Sequence, residues 1–259
     1  YDFHVGMMVP LFIMGAFYFL TQRKTFLYFL FIILSLSCKE DVALYLIPLG
    51  IYIAAFHKNK KIGLVTIAVS AAWFILAMKF IIPYFSYDST IHYLKRGTDY
   101  GANLNEITVT ILSKPWLLLR EIITLKSLAK TFDLFAVLLF IPLFSIQTAF
   151  LILVPLFVNF TSSSELQKGL ALYYSAPAIP FIFISMVYGL NKICSKHVNR
   201  DKILYLLCSL VLFLNLTNSS LHRLIKPEML KITDHTLIGH EIVNEIPPIT
   251  SISAQVGLV

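Results

Sequence analysis

The sequence predicts an all-α polytopic membrane protein that ends in the start of a small extracytoplasmic α/β unit. Three observations carry that prediction. Of the 259 residues, 58% are hydrophobic and only 14% are charged, whereas soluble domains run at roughly 45–50% apolar and about 25% charged. Mean hydropathy is +0.78, too apolar for a water-facing surface of this size. The apolar residues also fall in runs bounded by charge, as in helices that cross a hydrocarbon layer. Composition thereby excludes a soluble enzyme, a disordered tail and a disulfide scaffold. The three cysteines, Cys38, Cys194 and Cys208, lie scattered in apolar stretches and form no framework. The net charge of +7 reads as a topology signal, and no nucleic-acid partner is expected.

Eight membrane segments are predicted, near 5–20, 26–38, 42–56, 62–85, 132–145, 147–160, 172–191 and 203–217. Several are short. A helix of about thirteen residues reaches roughly 20 Å, less than the roughly 30 Å hydrocarbon core, so such segments tilt, sit recessed or pack among longer partners. Lys and Arg in the short loops set the orientation. Arg23 and Lys24, then Lys58, Lys60 and Lys61, then Lys192, Lys196, Arg200 and Lys202 mark three cytoplasmic loops. For Arg23 and Lys58 to share a side, 26–56 must cross twice, as a hairpin with Lys39-Glu40-Asp41 at its outer tip. The same count puts the N-terminus, the 86–131 loop, the 161–171 loop and everything after 217 outside, in what reads as a prokaryotic cell membrane. The turn at Ser145–Thr148 is uncharged, so 132–160 is either a spanning hairpin or a re-entrant pair.

Residues 1–217 form the predicted membrane domain, and 218–259 the start of an extracytoplasmic soluble domain. In the latter, a helical stretch near 234–245 stops before Pro247-Pro248. The alternation Ile249, Ser251, Ile252, Ser253 then suggests a buried strand. The chain starts at Tyr1 without an initiator Met and stops soon after that strand, so it reads as a piece of a larger protein. Within the 86–131 loop, Trp116, Leu117, Leu118, Ile122, Ile123 and Leu125 alternate with Arg120, Glu121 and Lys126 at helical spacing. Such helices lie along a membrane surface. Their lysines either snorkel from a solvated face or anchor an anionic lipid headgroup.

Chemistry is expected first at Lys39-Glu40-Asp41. Its flanking apolar stretches are too short to lift it clear of the membrane, and a charge at mid-depth costs roughly 2.5–3.5 kcal/mol. The alternative is a plain polar turn, although a neutral turn would serve that purpose equally well. At the N-terminus of the helix starting at Val42, Glu40 and Asp41 can both meet a cation or a protonated ligand. Asp2 and His4 sit on the same outer side and converge on the tip in this reading. Lys79, near the outer end of the fourth segment, either snorkels outward or pairs with Glu40 or Asp41. Tyr173 and Tyr174 belong to an aromatic belt or line a sugar site.

Four stretches carry a family resemblance: CKEDVALYLIPLGIY at 38–52, the Phe3-His4 pair, LYYSAPAIPFIF at 172–183 and EIPPITSISAQ at 245–255. In this order they resemble a prokaryotic family of predicted polytopic membrane proteins of unassigned function, over nearly the whole chain. That family is usually grouped with the GT-C superfold, membrane glycosyltransferases that take a sugar from a polyprenyl-phosphate carrier at the extracytoplasmic face. The resemblance implies an outer acidic residue that deprotonates the acceptor hydroxyl, and Lys or Arg that stabilises the departing lipid phosphate. Glu40 and Asp41 are then candidates for acid/base work, acceptor positioning or holding a divalent cation. Lys39, Lys79, Lys95, Arg96, Arg120 and Lys126 are candidates for the substrate, with Tyr173 and Tyr174. GT-C enzymes place a catalytic acid in the first outer loop, a region expected upstream of Tyr1. Where the family often has His before Tyr, this chain has Tyr173-Tyr174. The implied partners are membrane lipid and a polyprenyl-phosphate-linked sugar. The same cavity without catalysis makes a transporter or flippase for a lipid-linked sugar, and a third possibility is a membrane scaffold for the C-terminal domain.

Overall fold

The first helices are short because their ends are written in charge and turn geometry. A computed structural model describes residues 4–57, 59–85, 113–162, 164–170 and 172–218, with isolated positions 106, 109, 110, 238 and 241. These residues are helical or in short connections, with no strand among them. The strand expected at 249–253 and the predicted site residues Asp2, Lys95 and Arg96 lie outside the described residues.

After a 3-10 turn, Val5–Met8, helix α1 spans Val9–Thr21 and stops where Arg23 takes a left-handed backbone (φ 57). Helix α2 follows at Thr25–Cys38, α3 at Val42–Ala55 and α4 at Lys60–Leu76. The chain continues from α4 through a π-turn at Ala77–Ile81 into Ile82–Phe85, giving one apolar run of 26 residues. Pro83 accounts for the π-turn, because it lacks an N–H and its ring crowds the Lys79 carbonyl four residues back; an inserted residue relieves both. Two amphipathic helices come next, α5 at Pro115–Ile122 and α6 at Leu125–Ala136. Then follow α7 (Ile146–Phe160), the single turn α8 (Glu165–Lys168), a 3-10 segment at Leu172–Ala178, α9 (Ile179–Cys194) and α10 (Arg200–Asn218).

Two runs, Lys60–Phe85 and Tyr173–Cys194, are long and apolar enough to cross a bilayer. Val5–Thr21, Thr25–Cys38, Val42–Ala55 and Ile146–Phe160 are apolar but shorter. The segment expected at 132–145 is not a single helix. After α6 the backbone turns left-handed at Leu139 (φ 53) and Phe140 (φ 55), then resumes as a 3-10 turn at Ile141–Phe144. Pro142 has no N–H to continue a helix there. The displaced Ile141 carbonyl packs directly on Gly189 of α9, where any Cβ would collide with it.

The helices pack antiparallel around a core of Val9, Ile13, Ile32, Leu46, Leu49, Ile152 and Phe181, all fully or almost fully buried. At the α3–α4 crossing, a Cβ on Gly63 would lie 2.6 Å from both the Ala54 amide nitrogen and the Gly50 carbonyl oxygen. The backbones therefore touch, as small residues allow between membrane helices. A buried hydrogen bond of 2.7 Å between the Tyr28 and Thr66 hydroxyls ties α2 to α4. The outer surface is apolar instead of polar: Leu11, Phe26, Leu64, Phe80, Leu153, Val187 and Phe213 are all exposed. Lipid-facing helices need such a surface.

This packing sorts the connections to two ends. His4, the 39–41 tip, Asn159 and Tyr173–Tyr174 gather at one end. At the other, Phe17, Tyr52, His57 and Tyr188 meet through ring contacts, next to Arg23, Lys60 and Lys192 in sequence. The acidic tip and the basic loops thus lie at opposite ends of the bundle.

Candidate functional site

The tip is built by the end of α2 and the start of α3. Lys39 is extended (φ −164, ψ 146), which ends α2, and Asp41 occupies the N-cap position of α3. An N-cap Asp ordinarily accepts a hydrogen bond from a backbone N–H of the first turn. Here the Asp41 side chain makes no such bond. Its Oδ2 instead accepts from the Lys39 ammonium at 2.8 Å and from the Tyr45 hydroxyl at 3.2 Å. Tyr45 is reached because it stands one turn further along the same face of α3. The Lys39 and Asp41 side chains are 22% and 14% exposed, so the ion pair sits at the rim of the protein interior.

The remaining oxygens define the site. Asp41 Oδ1 and Glu40 Oε1 are buried, and neither has a hydrogen-bond donor among the described residues. A buried acceptor without a donor costs about 1–3 kcal/mol, and more when charged. Two such atoms on consecutive residues are acceptors that a ligand O–H, N–H or water would satisfy.

Aromatic rings close the opposite wall. The His4 ring stacks on Tyr173 at 3.8 Å with 30° between the planes. The Tyr173 hydroxyl donates to the Tyr174 hydroxyl at 3.3 Å. Asn159, buried in α7, donates its amide N–H to the Tyr174 carbonyl at 3.0 Å and fixes this segment against the bundle. The cleft between these groups is lined by Asp41, Lys39, Tyr45, Gln167, Tyr173 and Tyr174, with free space of about 10 Å³. As it stands it admits no more than one water.

Of the predicted site residues, Lys39, Asp41, Tyr173 and Tyr174 line this one cleft. His4 joins them through the Tyr173 stack, whereas Glu40, although next to Asp41 in sequence, is not among the described lining residues. Lys79 does not join them. It is exposed within the π-turn and forms no ion pair with Glu40 or Asp41. Arg120 and Lys126 are exposed on α5 and α6, and Lys126 lines a separate groove. Tyr45, Asn159 and Gln167 were not among the sequence candidates. Tyr45 had a usable signal, its four-residue spacing from Asp41, whereas nothing local distinguishes Asn159 or Gln167.

A divalent cation finds a poor donor set here. No group of three His, Cys, Asp or Glu exists among the described residues, and the Lys39 ammonium already neutralises Asp41. No step is therefore derived through a metal.

A second buried polar group stands at the far end. His57, between α3 and α4, is half-buried, touches the edges of the Phe17 and Tyr52 rings, and has its Nε2 buried without a partner among the described residues. Burial holds its pKa below the ordinary 6.5.

The chain matches the family described as predicted membrane protein (DUF2079) over residues 1–259, and it belongs to that family. Neither a curated protein nor a solved structure matches it.

Proposed function

We propose that this DUF2079 protein is a membrane glycosyltransferase of GT-C type, transferring a sugar from a polyprenyl-phosphate carrier to a hydroxyl acceptor at the outer face of a prokaryotic cell membrane. The observation that supports it best is the divided role of the Asp41 carboxylate. Oδ2 is held by Lys39 and Tyr45, which fixes the group, while Oδ1 is buried with no donor among the described residues. That is the state a general base needs before its substrate arrives. The resemblance of CKEDVALYLIPLGIY to the family's tip, and the grouping of that family with GT-C enzymes, supply the reaction class.

In this reading the acceptor O–H donates to Asp41 Oδ1 and loses its proton there. The acceptor oxygen then bonds to the anomeric carbon as the bond from that carbon to the phosphate oxygen breaks. The bonding electrons leave with the lipid phosphate. Lys39 is the ammonium nearest the reacting carboxylate and balances the charge developing on the phosphate. Glu40 positions the acceptor through Oε1. His4 and Tyr173 offer stacked rings to the sugar, and their stack must part to admit it, because the closed cleft holds only a water. Residues 1–217 carry the site in this proposal, the basic loops 23–24, 58–61 and 192–202 face the cytoplasm, and residues from 218 onward begin an extracytoplasmic soluble domain.

The test is Asp41→Asn, which keeps the size and removes the charge. Transfer of sugar from a polyprenyl-phosphate donor in reconstituted vesicles should fall at least about a hundredfold with the helical circular dichroism unchanged. If the protein moves intact lipid-linked sugar across vesicles, transfers none, and tolerates Asp41→Asn, a carrier replaces the enzyme.

A further inference from the structure

The carboxylate cleft is bordered by two parts of the chain that are held very differently. Gly6, in the 3-10 turn Val5–Met8, lines it together with Asp41, Tyr45 and Tyr173. That turn buries none of its residues, and Val5 and Met7 are 50% and 59% exposed. The Tyr173–Tyr174 wall is anchored instead. Buried Asn159 donates to the Tyr174 carbonyl at 3.0 Å, and Ala176 and Ala178 just beyond are 5% and 2% exposed. His4 joins the two parts. Its ring is stacked on Tyr173 with the centroids 3.8 Å apart, and its carbonyl accepts from the Met7 N–H at 2.9 Å, so the turn carries the ring.

We infer that Val5–Met8 is the lid of this cleft and that the His4 ring on Tyr173 is its latch. The closed cleft has free space of about 10 Å³, enough for one water, so a larger ligand enters only if a border gives way. Exposure selects the border. Segments with little buried surface open at the lowest free-energy cost, and of the two that is the turn, not the wall pinned through Asn159. Swinging the turn away takes Gly6 off the cleft and uncovers the face of Tyr173 that His4 occupies. A ligand ring then takes the place of the imidazole, and the latch closes again once it leaves. On the transferase reading that ring is the sugar, and the inference rests on that reading for the ligand alone. The lid itself stands on the exposure and contacts of the turn. Losing one ring stack shifts an opening equilibrium by about two- to tenfold.

The experiment follows opening without any ligand. Val42 is fully buried and lines the cleft. Val42→Cys, close in size, reports opening through its reaction with methyl methanethiosulfonate, read by peptide mass spectrometry on the whole chain in detergent. Exposed Cys208 is the internal standard. In that background His4→Ala should speed labelling at position 42 about fivefold and leave Cys208 unchanged. His4→Phe, which keeps a ring for Tyr173, should stay within about twofold of the parent, as should Met7→Ala, which removes another exposed side chain of the turn. Labelling that is indifferent to His4→Ala overturns the lid, and an equal rise in His4→Phe or Met7→Ala overturns the ring latch. Hydrogen exchange of residues 5–9 in the chain without Val42→Cys gives a second reading: His4→Ala should speed it, and unchanged exchange overturns the lid. Sugar transfer is assayed separately on the parent protein and on His4→Ala. The expected labelling in a protein that transfers no sugar keeps the lid and discards the transferase; transfer with labelling indifferent to His4 does the reverse.

Discussion

The two ends of the helical bundle each bury a polar group that lacks a hydrogen-bond partner among the described residues, yet only one of them looks like a site. At the tip end, Asp41 lines a cleft that also holds an ammonium, three phenols and two carboxamides, and Glu40, next to it in sequence, has a buried carboxylate oxygen. At the far end, His57 is wedged against the rings of Phe17 and Tyr52. The difference lies in what surrounds the orphan atom. A carboxylate with one oxygen anchored and the other free, beside donors that hold its charge, can accept a proton from a ligand. An imidazole packed among rings has its pKa lowered by desolvation, and the contacts it makes among the described residues are with the Phe17 and Tyr52 rings. A buried polar atom thus points to function only with a constellation around it.

The largest expected effect separates the ends by activity. Asp41→Asn should remove about a hundredfold or more of transfer, whereas His57→Gln should leave turnover close to that of the unaltered protein. Equal losses would mean that the far end takes part, and the contrast would collapse.

Next in size is a packing change between the ends. A side chain at Gly63 must push the α3 and α4 backbones apart, because its Cβ would meet backbone atoms at 2.6 Å. Overpacking of this kind costs about 1–3 kcal/mol, occasionally more. Gly63→Val should lower the thermal midpoint in detergent by several degrees, while Gly6→Ala, at a position with nothing within 4 Å, should barely move it. A matching loss at Gly6 would show that the tip end is packed more tightly than its open surroundings indicate.

A pH series sharpens the far end. The folded pKa of His57 lies below its unfolded value of about 6.5. In the interval between the two, the unfolded chain binds more protons than the folded one, so stability rises with pH there. The contribution is complete above about 6.5 and is lost as pH falls toward the folded pKa. His57→Gln should flatten that portion of the thermal-stability curve relative to the parent protein; identical curves would mean that the imidazole is not desolvated.

Much of this was legible in the sequence, for identifiable reasons. The short apolar helices follow from runs bounded by Arg23, Lys39 and Lys60, where charge ends burial. The acidic tip was visible because Lys-Glu-Asp is costly between two apolar stretches. The break at 139–140 was not, since Leu139 and Phe140 are ordinary helix formers; it arises from Pro142 and from the tertiary contact of Ile141 with Gly189. The role of Asn159 was not legible either. One amide in an apolar run has many possible partners, and only the fold brings the Tyr174 carbonyl to it. Lys79 stayed open for the same reason: its depth could be read from the apolar run around it, but its direction depends on the π-turn beside Pro83.

The smallest expected effect compares two lysines of equal charge. Lys39 is within 2.8 Å of Asp41, whereas Lys79 is exposed and unpaired with the acidic tip. Removing Lys39 leaves a buried carboxylate without its counter-charge, which is far more damaging than the loss of an exposed ammonium. Lys39→Ala should therefore lower both thermal stability and transfer, whereas Lys79→Ala should change stability by less than about 0.5 kcal/mol and leave transfer intact. The double variant adds a further reading, because independent positions combine additively. If Lys79→Ala harms transfer only when Lys39 is present, the two lysines share one ligand, and the substrate reaches from the cleft to the π-turn of α4.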